Sequence, residues 1–345
     1  MLGTKYVISA LIVASGIAIS IVRGQSETEP TIERIDAAFD RLISPEARAE
    51  KIVDGFQFLE GPVWVRNSGF LLFSELRDNA ILKWTPDGNV SVFRKPVFAG
   101  TFPEGALMGP NGLTLDPLGR LITAEHGGRR ITRAAISRDG KIATDQPVKV
   151  LADRYEGKRL NSPNDVVSRR NGDLYFTDPV GLFRSYPRNA SDPPKPELDF
   201  GGLYRLTTTG KLELLARDIP FPNGLAFSPD DKRLYVSSSA PRKEWMVYDV
   251  NPDGGIQNGR VFLDVTNEPG QNVPDGMKID QQGNLYASGP GGLWVISSDA
   301  KHLGTIRVPG GVSNCAFGET DGRTLFFTTS TSVYRLRLKI GGRAP

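Results

Sequence analysis

The chain has 345 residues, 39% of them hydrophobic, a formal charge of +3, one cysteine and two histidines. That is enough length and apolar content for a large core, whereas a single cysteine excludes an intrachain disulfide and two histidines exclude a multi-histidine zinc centre. Setting aside Lys5 and Arg23 near the N-terminus leaves a charge of about +1 with the basic residues scattered, so no electrostatic footprint for nucleic acid remains.

Residues 1–24 place Lys5 before an apolar run from Val7 to Val22, followed by Arg23 and Gly24. This is the pattern of a secretory signal peptide cleaved near Val22 and Gly24. The alternative is an uncleaved N-terminal anchor, although a run of roughly 16 residues is short for a membrane span. Either reading places the body of the protein outside the cytoplasm, periplasmic or secreted. Residues 25–49 are polar, and Ile32, Ile35, Phe39 and Leu42 recur at helical spacing, which predicts a short helix on the outside of the fold. Residues 50–54 read as a strand.

From Leu59 onward one cassette recurs: a polar residue, a short apolar strand, a turn containing Gly or Asp, and a second apolar strand, the pattern of a β-hairpin. Its first strands begin Glu60-Gly61-Pro62, Asn111-Gly112-Leu113, Asn164-Asp165-Val166, Asn223-Gly224-Leu225, Asp275-Gly276-Met277 and Asn314-Cys315-Ala316. The polar residues are spaced by roughly 40 to 60 positions, the period of propeller blades of about four strands. The expected fold is therefore all-β, a six-bladed β-propeller with four-stranded blades forming one domain over residues 50–340. The last unit supplies three strands, so the strand at 50–54 is expected to complete it and close the ring, removing an open sheet edge.

Between the strands of the third unit, residues 180–200 form a Pro-rich insertion without strand pattern, either a binding loop or a solvated excursion. Cys315 is expected to be a buried, inert thiol on an innermost strand. Trp64, Trp84, Trp245 and Trp294 stand in apolar strand contexts and are expected to pack between blades. His302 follows a polar turn and is expected to be exposed.

In a propeller the innermost strands run beside the central channel, so Glu60, Asn111, Asn164, Asn223, Asp275 and Asn314 form a polar ring around it. Burying such groups without partners costs roughly 1 to 3 kcal/mol each, so water or a cation must satisfy them. Two carboxylates and several amide oxygens, without thiols, make the ligand set of a hard cation such as Ca²⁺ or Mg²⁺, whose charge would offset Glu60 and Asp275. The repeat by itself leaves open which asparagines coordinate. His126, before Gly127-Gly128, is either an imidazole facing the channel mouth or a turn residue bonded to backbone. Asp178, before Pro179, either faces the same mouth from its strand end or makes the turn, and the turn is the preferred reading.

The motifs Glu60-Gly61-Pro62-Val63-Trp64, Ser162-Pro163-Asn164-Asp165, Pro222-Asn223-Gly224-Leu225 and Pro274-Asp275-Gly276-Met277 resemble those of the gluconolactonase, senescence-marker-protein and luciferin-regenerating-enzyme family. Ala124-Glu125-His126-Gly127-Gly128 and Tyr175-Phe176-Thr177-Asp178-Pro179 resemble its bacterial gluconolactonase branch. The resemblance covers about Ile52 to Leu338. It implies one divalent cation, usually Ca²⁺ but with Mg²⁺, Mn²⁺ or Zn²⁺ possible, held by Glu60, Asn164, Asn223 and Asp275. It also implies hydrolysis of sugar lactones with Asp275 as general base, and Asn111 and Asn314 as channel residues beside the cation; Asn111 and His126 are the candidate substrate-binding residues. An esterase or phosphotriesterase on the same site, and a non-catalytic propeller with a structural cation, are the alternatives.

Overall fold

The computed structural model describes residues 29–100, 106–181 and 195–343. Residues 1–24 and most of the 180–200 insertion lie outside the described residues. Six antiparallel sheets follow one another in chain order, each wound outward from an innermost strand. The innermost strands are Leu59–Val65, Pro110–Leu115, Val166–Ser168, Pro222–Phe227, Met277–Ile279 and Asn314–Gly318. Each touches the next, and the sixth touches the first, so the sheets form a six-bladed β-propeller around a central channel. In the sixth blade Glu50–Asp54 lies antiparallel to Ser332–Arg337 as the outer strand.

The second strand of each blade is sandwiched between neighbouring blades and loses the one-sided alternation of a surface strand. Phe70–Glu75, Leu121–Glu125 and Leu285–Gly289 are buried at every position. Aromatic side chains fill the wedges between blades, as expected for the tryptophans: Trp64 stacks on Phe326 with centroids 5.3 Å apart, and Trp245 meets Trp294 at 5.8 Å. Cys315 is fully buried, and burial pushes its thiol up to about 12, as befits an inert thiol.

Two expectations are corrected. Instead of a helix over 32–42, Thr31–Arg34 forms a strand on the outer edge of the fifth blade, paired with His302–Arg307, and Ala37–Arg41 forms one short 3₁₀ turn. The apolar spacing that mimicked a helix arises because Ile32 packs from the strand, while Phe39 and Leu42, three apart, are buried from the 3₁₀ turn against the interface of blades five and six. An exposed sheet edge in register with the segment outweighed its weak helical preference. His302 is the second correction: it is half-buried on a strand, stacked on Trp294 at 3.6 Å, with Nε2 2.9 Å from Thr305 Oγ1.

The blades approach one another most closely along the channel. A Cβ on Gly224 would overlap the Asp275 carbonyl oxygen, and one on Gly276 would overlap the Asn314 side chain. Gly61 and Gly112 hold the same place in blades one and two. Gly224→Ala should therefore force two innermost strands apart, lowering stability by about 2–3 kcal/mol in a urea unfolding curve, the cost of overpacking a rigid core.

Candidate functional site

Five of the six ring residues sit where their strand departs from regular pairing, whereas Asn314 pairs regularly with Thr328. Register shifts interrupt the ladders between Glu60 and Val63, between Pro110 and Leu113 and between Pro222 and Leu225, so Asn111 and Asn223 lie inside bulges and Glu60 opens one. In blades three and five the ladder begins only at Val166 and Met277, just after Asn164 and Asp275. A bulge re-aims a side chain out of the strand alternation. The Asn-Gly, Glu-Gly and Asp-Gly steps of the sequence mark these places.

Hydroxyls and backbone amides from neighbouring blades then fix the ring backbone. Ser74 Oγ donates to the Asn111 carbonyl at 2.7 Å, Thr177 Oγ1 to the Asn223 carbonyl at 2.6 Å, and Ser237 Oγ to the Asp275 carbonyl. Gly112 N donates to the Asn164 carbonyl at 2.7 Å. Ser239 Oγ donates to the Pro274 carbonyl at 2.7 Å while accepting from Asn223 Nδ2 at 3.0 Å, which turns the Asn223 Oδ1 lone pairs away from that bond.

Glu60, Asn223, Asp275 and Asn314 come together as the repeat predicted, joined by Asp165 and Lys278. Glu60 is buried at 3% exposure, whereas Asp275 is partly open. Burial, and then the Asp165 charge, push Glu60 up to about 7, with the Gly61 amide, the Asn314 side chain and Lys278 opposing. Burial, then Glu60, then Asp165 raise Asp275 well above the usual carboxylate range, with Asn223 opposing. Asp165 is itself raised by burial and pulled back by Lys278, whose Nζ donates to the Met277 carbonyl at 3.0 Å and reaches Asn314 Oδ1 at 3.4 Å. Three carboxyl groups thus face one ammonium, and full ionisation would leave two negative charges uncompensated, which, on top of burial, is why Glu60 and Asp275 hold their protons so strongly.

The asparagines divide by what their oxygens already do. Asn111 Oδ1 and Asn223 Oδ1 are buried without a partner, while Asn314 Oδ1 accepts from Cys315 N at 2.8 Å and faces Lys278. Buried carboxamide oxygens without donors beside uncompensated carboxylates form a fitting cradle for a hard divalent cation. Among the described residues there is no cluster of three or more His, Cys, Asp or Glu of metal-ligand type, so any cation here relies on carboxamides. Asn164 is buried beside this group and adjoins it through Asp165, its own amide donating to the Thr177 carbonyl at 2.8 Å. His126 does not join the carboxylates. It is buried at 5% exposure with Nδ1 unpartnered, and burial lowers it to about 4 against the opposing backbone of Pro163 and Ser162, so the imidazole is neutral.

Sequence reasoning missed Asp165, Lys278 and Asp178. Asp165 stands where four other blades have glycine, a break in the repeat that marks it. Lys278 is the one charged side chain of the innermost strand Met277–Ile279. Asp178, read as a turn residue, is fully buried and accepts Asn161 N at 2.8 Å and Ser162 N at 2.7 Å, holding the loop that leads into Asn164. Glu75 plays the same part in blade one, accepting Gln57 N at 2.9 Å and Phe58 N at 3.1 Å ahead of Glu60.

Fold and site define a six-bladed propeller with an oxygen-lined, acidic channel centre. The family model described as SMP-30/Gluconolactonase/LRE-like region matches residues 58–331, and the chain belongs to that family. A gluconolactonase of Zymomonas mobilis is 38% identical over 327 residues, covering 90% of this chain and 87% of that protein. The solved structure of a gluconolactonase from Xanthomonas campestris is 34% identical, covers 92% of this chain and 99% of its own, and superposes with a TM-score of 0.77. A pentonolactonase of Haloferax volcanii is 27% identical over 205 residues, 58% of this chain and 67% of that protein.

Asp178→Ala leaves two buried amides without an acceptor, at about 1–3 kcal/mol each. Chemical unfolding should show a loss of about 2–5 kcal/mol, with Asp178→Asn, which keeps one acceptor oxygen, losing roughly half as much.

Proposed function

We propose that the protein hydrolyses sugar lactones at the channel ring, with a divalent cation, Ca²⁺ first among the candidates, held by Glu60, Asn164, Asn223 and Asp275. By class it is a lactonase, a hydrolase acting on ester bonds. The observation that carries the cation is the meeting of two carboxyl groups, Glu60 and Asp275, with the buried Asn223 Oδ1, which has no donor; Asn164 enters the ligand set through its place in the family motif. Glu60, Asn164, Asn223 and Asp275 would hold the cation, which when bound would polarise the lactone carbonyl and stabilise the negative charge developing on its oxygen.

The remaining chemistry falls to side chains of this chain. Glu60, sealed from solvent, acts as a ligand. Asp275 is the open carboxylate of the pair, so it can both hold the cation and take a proton from the attacking water. That proton passes to the alkoxide released when the ring C–O bond breaks, giving a hydroxy acid. Asn111 offers its unpartnered Oδ1 as a further acceptor beside the ring, and the neutral His126 offers Nδ1 to a substrate hydroxyl near the Ser162–Pro163 turn. The gluconolactonase and pentonolactonase relatives make sugar lactones the substrates to assay first.

The reading is tested by pH-stat hydrolysis of gluconolactone and a panel of pentonolactones, with spontaneous hydrolysis subtracted. Activity should vanish on chelation and return with one of Ca²⁺, Mg²⁺, Mn²⁺ or Zn²⁺; turnover unaffected by exhaustive chelation would remove the cation from the reaction. At saturating cation Asp275→Asn should remain at least about 100-fold slower than the native enzyme, the usual worth of a general base. Glu60→Gln should instead bind the cation weakly and recover most of its rate once saturated.

Because Glu60 stands at about 7 in the cation-free protein, protons compete for the site. A carboxylate with a raised pKa is protonated below that value. Calorimetric affinity for Ca²⁺ should therefore fall toward about tenfold per unit as the pH drops below 7, with about one proton released from Glu60 on binding.

A further inference from the structure

The six innermost strands build two things, because each runs on from the polar ring toward the opposite face of the propeller. Their later residues line a cavity of about 700 Å³, within the range of small-molecule sites. Its walls are apolar: Val63, Leu113, Val167, Ala226, Ile279 and Phe317 come from all six blades. Lys278 forms the boundary with the ring, lining the cavity along its chain while its Nζ donates to the Met277 carbonyl and Asn314 Oδ1 on the ring side. The cavity is therefore a separate compartment from the candidate active site.

Its charge is one-sided. The acidic residue in the wall, Asp116, is already bound by Arg120 Nε at 2.6 Å and by the amides of its own turn. Arg343, laid across from the C-terminal end of the chain, is paired with Asp231. Arg66 and Arg138 are exposed in the lining and make no ion pair among the described residues. In the same lining Leu118 is 75% exposed, the most exposed large hydrophobic side chain among the described residues. An apolar interior with unpaired guanidinium groups and an exposed leucine at its rim is complementary to one chemistry.

We propose that this cavity is a second binding site, for a small amphipathic anion whose apolar body enters between the blades while its carboxylate or sulfonate pairs with Arg66 and Arg138. The site is independent of the lactonase reading, since neither arginine touches the ring.

The probe is 1-anilinonaphthalene-8-sulfonate, titrated by fluorescence into the full-length folded protein, with the uncharged N-phenyl-1-naphthylamine in parallel. One sulfonate probe should bind per chain, and the uncharged probe at least about tenfold more weakly. Arg66→Ala/Arg138→Ala should weaken the sulfonate about three- to tenfold, the worth of two exposed ion pairs, while lactone hydrolysis stays at the native rate. Thr114→Trp, filling the cavity from the second blade, should abolish binding, and if that variant does not fold the arginine pair and the uncharged probe decide. No saturable binding, equal affinity for the two probes, or binding untouched by the arginine substitutions would each overturn the proposal.

Discussion

The structure depends on how closely six innermost strands can approach around one axis. A propeller channel is narrow, and a side chain on every residue beside it would hold the blades apart. Glycine directly after the ring residue in four blades removes that obstacle, and neighbouring blades are then joined by hydrogen bonds to main-chain carbonyls at or beside the ring. Ser74, Thr177, Ser237 and Ser288 each reach from a second strand to the following blade, the last to the Val312 carbonyl, Gly112 N makes the link from blade two to blade three, and Ser313 Oγ closes the circuit onto the Leu59 carbonyl at 2.8 Å. Each such bond is worth only about 1 kcal/mol net. Their value lies in fixing where the ring side chains start.

The same close approach makes the channel electrostatically demanding. Once Glu60, Asp165 and Asp275 are brought together with little water, Asp165 raises the cost of ionising Glu60 and both raise that of Asp275, while Lys278 is the positive charge that opposes Glu60 and Asp165. The two positions that break the glycine rule, Asp165 and Cys315, show how space is used where a side chain is admitted. Asp165 puts charge into the centre, and Cys315 fills a dry wedge with its thiol against the Tyr286 carbonyl at 3.3 Å. Residues outside the ring carry the precision: Asp178 and Glu75, at the ends of second strands, hold by their amides the loops that deliver Asn164 and Glu60. An acidic centre with fixed side chains and one partly open carboxyl group suits the hydrolase chemistry of its family.

Much of this was legible in the chain before folding. The repeat of a polar residue followed by glycine and an apolar strand carried the blade count and the ring positions, because turn chemistry and strand alternation are local properties. The family motifs lie on those same positions. Local pattern misled at 32–42 and at His302, where an available sheet edge and an indole face, both supplied by distant residues, decided the conformation.

Sequence by itself determined that six oxygen-bearing side chains recur at blade spacing and that thiols and histidines are too few to replace them. Only the tertiary structure decided which of them are free to bind. Asn111, Asn223 and Asn314 are equivalent in the repeat, yet the Asn314 oxygen is taken by Cys315 N and faces Lys278, whereas the other two have no donor. The tertiary structure also set Glu60 apart from Asp275 by burial and made Asp165 and Lys278 their neighbours. The physical reason is that pKa values and unsatisfied hydrogen bonds are properties of a packed environment, assembled from residues that the chain order keeps tens or hundreds of positions apart.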